Sequence, residues 1–247
     1  MTVEAEKYQR VPQSKTIKRS YCYVHVHANL ECTQIVGLKL YCTFSIIPSP
    51  LVPGPPGPTT SSGGVVYTRW GRTVCPSTPG TQLLYAGRVA GSYYTERGGG
   101  ANYICLPEQP QYSTYTAGRQ SGRAFLYGAE YETSGRIETG PLRSVHDHNV
   151  PCAICYASTR ETVVMIPARL SCPSSWTREY YGYLMADYHG HYRTMFECVD
   201  RNPESVPGSI ANTNGALFYH VEVKCRVGIP CPPYDTQKEV TCVVCTK

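Results

Sequence analysis

Apolar residues in this chain fall in short runs, each broken by a cluster of Gly, Pro, Ser or Asn. Gln82 to Tyr85, Ala124 to Tyr127, Val163 to Ile166, Leu217 to Val223 and Val240 to Val244 are examples. No stretch of helical length carries an apolar period of 3.6, whereas Val, Tyr, Ile and Thr in short blocks between turn signals predict strands. The fold class expected is all-β, β-rich with few helices. The regular pattern begins at Val65. Ahead of it, Lys7 to Arg19 is polar, and Tyr21 to Phe44 reads as strand with Cys22, Cys32 and Cys42 at ten-residue spacing. Pro48 to Gly64 is a Pro/Gly linker in which Gly54-Pro55-Pro56-Gly57-Pro58-Thr59 makes two collagen-type triplets. Composition alone reads them as an ordinary linker, and the alternative is the end of a collagenous stretch.

The second half repeats the first. Val65-Val66 precedes Cys75-Pro76-Ser77 as Val163-Val164 precedes Cys172-Pro173-Ser174. Tyr85-Ala86-Gly87 answers to Tyr180-Tyr181-Gly182, and Cys105 to Cys198. Phe125 to Glu130 answers to Leu217 to Glu222, and Cys152-Ala153-Ile154-Cys155 to Cys242-Val243-Val244-Cys245. Four segments follow: an N-terminal extension over 1–47, the linker over 48–64, and repeat units over 65–157 and 158–247.

Composition changes this picture in one respect. Thirteen Cys in 247 residues imply metals, redox chemistry or an oxidising compartment, and the ordered repeat favours disulfides there. The first thirty residues carry no apolar run of the signal-peptide kind, so the N-terminal sequence is expected to be incomplete or wrongly joined. Ile35 to Ile47 is too short to span a membrane and contains Lys39, so no membrane span is expected. The net charge of +5 is spread along the chain, which speaks against nucleic acid and leaves acidic glycans open. The 21 Tyr suit strand packing, with oxidative cross-linking of exposed Tyr as the alternative.

Few constellations carry chemistry. The Cys-x-x-Cys pairs have three readings. Zinc usually needs the two pairs closer together, redox catalysis needs a helix start, and apolar spacers suit structural disulfides on a strand. Arg97-Gly98-Gly99-Gly100 lacks the Lys and Ser/Thr of a phosphate loop and reads as a turn. His146-Asp147-His148 and Asp187 to His191 offer metal ligands but read as exposed loops. Trp70 and Trp176 sit near each unit's first Cys as core anchors. No catalytic residue, cofactor or metal is expected, and the chain is not expected to be an enzyme.

The Cys-Pro start, the central Cys, the Cys225 to Cys231 pair and the terminal Cys-x-x-Cys, all in tandem, resemble the C-terminal non-collagenous domain of type IV collagen. They resemble more closely the spongin-type short-chain collagens of invertebrates. Cys152 to Cys155, Ile166 to Trp176 and Tyr181 to Leu184 carry the likeness, which covers Val65 to Lys247. The resemblance implies two tandem disulfide-locked β-subdomains, with Cys75 bonded to Cys155, Cys105 to Cys152, Cys172 to Cys245, Cys198 to Cys242 and Cys225 to Cys231. The first unit has no counterpart of the last pair, so its hairpin near Glu132 is expected to be looser. The function implied is that of a secreted extracellular-matrix structural protein. Its domain would register chains by self-association, with a trimer as the family's number, and join other collagenous or matrix chains. The competing class is a secreted, lectin-like binding module for glycans or microbial surfaces.

Overall fold

A computed structural model describes residues 28–36, 39–46, 63–119, 121–133, 141–225 and 227–247. The collagen-type triplets and most of the linker lie outside the described residues. The chain divides into two compact units, Met1–Thr59 and Thr60–Lys247. In the first, β1 (Ala28–Val36) and β2 (Lys39–Ile46) form an antiparallel hairpin whose register sets Cys32 opposite Cys42.

The second unit holds ten strands in one mixed sheet. The first repeat supplies β3 (Val65–Trp70), β4 (Thr81–Gly91), β5 (Ile104–Pro107), β6 (Tyr127–Glu132) and β7 (Pro151–Ala157). The second supplies β8 (Val163–Pro167), β9 (Thr177–Ala186), β10 (Glu197–Asp200), β11 (Ala216–His220) and β12 (Thr241–Thr246). Among the described residues the only helical element is a 3-10 turn, Pro141–Val145. The chain is therefore all-β.

Pairing repeats as the sequence does. In the first unit β7 lies between β3 and β4, and β4 also pairs with β5 and β6. In the second, β12 lies between β8 and β9, and β9 also pairs with β10 and β11. The register slips at one residue in each unit, Leu84 in β4 and Glu179 in β9. The two halves are not separate bodies, however. β6 runs parallel to β11, and β10 parallel to β3, so strands of both repeats share one hydrogen-bonded circuit. The 157/158 boundary divides the repeats but not the sheet, and each of the two apolar clusters draws on both units.

β7 and β12 occupy the centre of each repeat. A strand turns successive side chains to opposite faces, so cysteines three apart point opposite ways. Cys152 and Cys155 are both fully buried, and so are Cys242 and Cys245. The structure joins Cys75–Cys155, Cys105–Cys152, Cys172–Cys245, Cys198–Cys242 and Cys225–Cys231. All four Cys-x-x-Cys sulfurs thus sit in disulfides, each pair split between two partners. The two bonds that tie each unit's first Cys to its last close spans of 80 and 73 residues, each worth about 4 kcal/mol on the chain-entropy estimate.

Two sequence expectations need correction. Ala124 to Leu126 are not strand, since β6 begins at Tyr127. The hairpin expected to be looser, which follows Glu132, lies outside the described residues; residues 129–132 ahead of it pair with β11, and Ala129, Glu130 and Tyr131 are fully buried. Trp70 is a core residue, whereas Trp176 is half-buried and belongs to neither apolar cluster.

Glycine marks where backbones meet. A Cβ on Gly87 would lie 1.8 Å from the carbonyl oxygen of Leu106, and one on Gly182 1.8 Å from that of Val199. These are repeat-equivalent sites where β5 crosses β4 and β10 crosses β9, and only a hydrogen fits. Gly87→Ala and Gly182→Ala are each expected to cost about 3 kcal/mol or more, read as a lower urea midpoint with disulfides intact.

Candidate association site

Two junctions join the repeats. At the first, β10 meets β3 through a single backbone bridge, Val199 to Trp70, so side chains do most of the holding. Arg69 clamps Asp200 through Nε at 2.8 Å and Nη2 at 2.7 Å, with the carboxylate almost fully buried. Both nitrogens meet the one oxygen Oδ2, and such charge-assisted contacts are stronger than neutral ones. The indole N–H of Trp70 donates to Glu197 Oε2 at 2.8 Å. Burial pushes the Glu197 carboxyl up to about 7, more than the bond from Trp70 pulls it down.

At the second junction the ladder of β6 on β11 is reinforced by side chains. The Glu130 carboxylate accepts the backbone N–H groups of Thr213 at 3.2 Å and Asn214 at 3.1 Å. The Tyr131 hydroxyl donates to Glu204 O at 3.0 Å and the Tyr103 hydroxyl to Leu217 O at 2.7 Å. The Tyr103 and Phe218 rings stack at 4.1 Å. Burial holds the phenols of Tyr103 and Tyr131 well above their ordinary range. Much of the Tyr content is therefore core, while Tyr112 and Tyr115 are fully exposed positions.

Between the junctions, Glu179 sits at the register slip of β9 with its carboxylate buried. The hydroxyls of Tyr67 and Thr246 donate to it at 2.7 Å each, Thr81 donates at 3.3 Å, and the Arg160 guanidinium lies 3.6 Å away. Tyr67 and Thr81 belong to the first repeat, so one buried carboxylate ties both units together. Its repeat equivalent, Leu84, is apolar and exposed. Nothing in the sequence around Glu179 signals this role, because its partners come from four separate elements.

The repeat exposes what these junctions leave unfinished. The strand registers make Leu106 and Pro167 the equivalents of Val199 and Trp70. Val199 and Trp70 are buried, whereas Leu106 is 36% exposed and Pro167 is exposed. Among the described residues β5 pairs only with β4, and β8 only with β12. The second junction shows the same imbalance. Ala216, Leu217 and Phe218 are at most 1% exposed, while of their equivalents Ala124 and Leu126 are open to solvent, Leu126 to 58%, and Phe125 is half-buried. Glu130 is fully buried, and its equivalent Glu222 is exposed.

The His-containing loops hold their own partners. Glu132 joins His146 and Asp147 so that one ligand atom from each lies within 4.8 Å of the others. In that set His146 Nδ1 accepts the Thr133 N–H at 3.2 Å, and Nε2 faces Asp147 Oδ1 at 3.5 Å, an oxygen that is buried and has no hydrogen-bond partner among the described residues. Asp187 meets His191 Nδ1 at 2.8 Å, and burial pushes its carboxyl up against the pull of that contact. Arg97 to Gly100 form an exposed turn.

Glu197 gives the first junction a pH dependence. Its carboxyl titrates near 4.5 when unperturbed and near 7 here, so the folded chain holds the proton more tightly. The stability this contributes is fully present below about pH 4.5 and is lost as pH rises through about 7. Glu197→Gln keeps an acceptor for Trp70 without the charge. At pH 8 it is expected to be more stable than wild type by about 1–3 kcal/mol, with the gap closing toward pH 4.5 in urea unfolding. No protein-family model matches the chain.

Proposed function

We propose that residues 65–247 form a chain-association domain of a secreted structural protein of the extracellular matrix. The observation that carries this reading is the half-used pair of junctions: the surfaces buried in one repeat are exposed in the other. Within a chain, the second unit's β10 and β11 dock on the first unit's β3 and β6. The reciprocal docking would set the first unit's β5 and 124–126 segment against β8 and the 221–224 segment of a second copy. The residues brought there, Ile104, Leu106, Pro107, Ile166 and Pro167, are apolar where the intrachain junction uses Arg69, Asp200 and Glu197. An apolar core suits a contact between chains. Contacts of this kind are head-to-tail, and they end either in a closed ring or in an open fibre. Pro107 and Pro167 end their strands and lack the N–H that would extend a ladder, which limits open-ended edge pairing.

Five disulfides among the described residues fit an oxidising, extracellular setting. No described helix is long and apolar enough to cross a membrane. A ring of three chains is the number that the resemblance to type IV and spongin-type short-chain collagens implies. It would hold three collagenous strands at high local concentration and in register. In this reading the chain has no catalytic role.

The test is the mass of the secreted full chain in sedimentation equilibrium. Trimers are expected for wild type. Leu126→Asp and Glu222→Ala, both at exposed positions, are expected to yield folded monomers with unchanged disulfides. A wild-type chain that stays monomeric at about 100 μM, far above the Kd of a stable interface, would sink the proposal. So would trimers that survive both substitutions.

A further inference from the structure

A cleft of about 490 Å³ opens beside the junction of β3 and β10, lined by Arg69, Arg178, Tyr181, Asp200, Arg201 and Asn202. Its charges are not balanced. Asp200 is neutralised by Arg69 and also accepts the Asn202 N–H at 2.9 Å. Glu179 borders the same cleft, but its carboxylate is turned to Tyr67, Thr81, Thr246 and Arg160. That leaves Arg178 and Arg201. Both are exposed, and neither forms an ion pair with a carboxylate among the described residues.

Both guanidinium groups nevertheless contact one side chain. Their central carbons lie over the one Tyr181 ring, at 4.7 Å for Arg178 and 5.1 Å for Arg201. Arg178 Nη1 donates to Leu170 O at 3.0 Å, and Arg201 Nη1 donates to the Tyr181 hydroxyl. A guanidinium laid over a ring keeps its in-plane N–H groups, five in number, so most remain free for an acceptor. Attraction to the ring offsets part of the repulsion between the two cations, and an oxyanion between them would offset the rest.

The common fold does not require this arrangement. The strand registers place Leu83, Ala86 and Glu108 at the equivalent positions of the first repeat. That unit forms its sheet with no cation pair and with a carboxylate where Arg201 stands. The set is particular to the second repeat, and it borders the junction made within the chain.

We propose that Arg178 and Arg201, positioned by Tyr181, bind a sulfate ester carried on an extracellular polysaccharide. A tetrahedral oxyanion suits guanidinium N–H edges that line one cleft, since Arg forks recognise such groups. A disulfide-stabilised chain meets sulfated glycans in the oxidising exterior, and two free cations in one cleft do not make the extended basic track that a nucleic acid needs. Probe binding and chain mass are read separately, so this site and chain association can each fail alone.

The probe is an immobilised, highly sulfated heparin-type oligosaccharide, with its desulfated counterpart beside it and the secreted full chain in solution. Wild type is expected to bind the sulfated probe and not the desulfated one. Arg178→Ala with Arg201→Ala is expected to weaken binding about tenfold or more and to lower the slope of log affinity against log salt by about two. Arg178→Lys with Arg201→Lys keeps the charge, so it is expected to restore the salt slope without the full affinity. Arg123→Ala, ahead of β6, is expected to change nothing. Equal binding of the desulfated probe, no binding by wild type, or full binding by the double Ala variant would overturn the proposal. Stronger competition by a phosphate monoester than by a sulfate ester would also overturn it, in favour of a phosphorylated ligand.

Discussion

Cysteines three apart on a strand cannot reach the same partner, because the pleat sends them to opposite faces. In β7 and β12 that constraint makes one central strand a double anchor. One sulfur holds the crossing strand, β5 or β10, and the other holds the segment that follows the opening strand. With both faces of the central strand covered, its residues are almost all buried. Gly87 and Gly182 then follow as a consequence, since β5 and β10 are drawn so close that no side chain fits beneath them. The architecture of each repeat radiates from this short element.

Two nearly equal units in one chain need not be used equally. Each has a surface that receives and a surface that inserts, and a single chain can satisfy only one of each. Here the second unit gives β10 and β11 to β3 and β6 of the first. Polar groups specify these joints: Arg69 on Asp200, Trp70 on Glu197, Glu130 on the 213–214 backbone and Glu179 at the centre. Buried groups of this kind must find partners or cost stability, so they fix which surfaces meet. The equivalents left outside are largely apolar, and that difference between repeats underlies the association reading. The same asymmetry appears at the Arg178, Tyr181 and Arg201 cleft, where one repeat carries a charge pattern that the other lacks.

The chain by itself determined the strands, the repeat and its Cys-x-x-Cys ends, because these are local matters of period, turn chemistry and spacing. Val65–Trp70, Val163–Pro167 and Thr241–Thr246 were legible as β-branched runs between breakers. The alignment of Phe125 to Glu130 with Leu217 to Glu222 was legible too. It could not say that Leu217 and Phe218 are core while Leu126 faces solvent and Phe125 is half-buried. Identical patterns acquire different burial only when one of them finds a partner strand, and that is decided by tertiary pairing. Trp176 erred for the same reason, judged by its neighbours in sequence. The carboxylate of Glu179 was invisible because its four partners converge from β3, β4, β12 and the link between repeats. Local sequence fixes which way a side chain leaves its strand. Only the folded chain decides what stands opposite it.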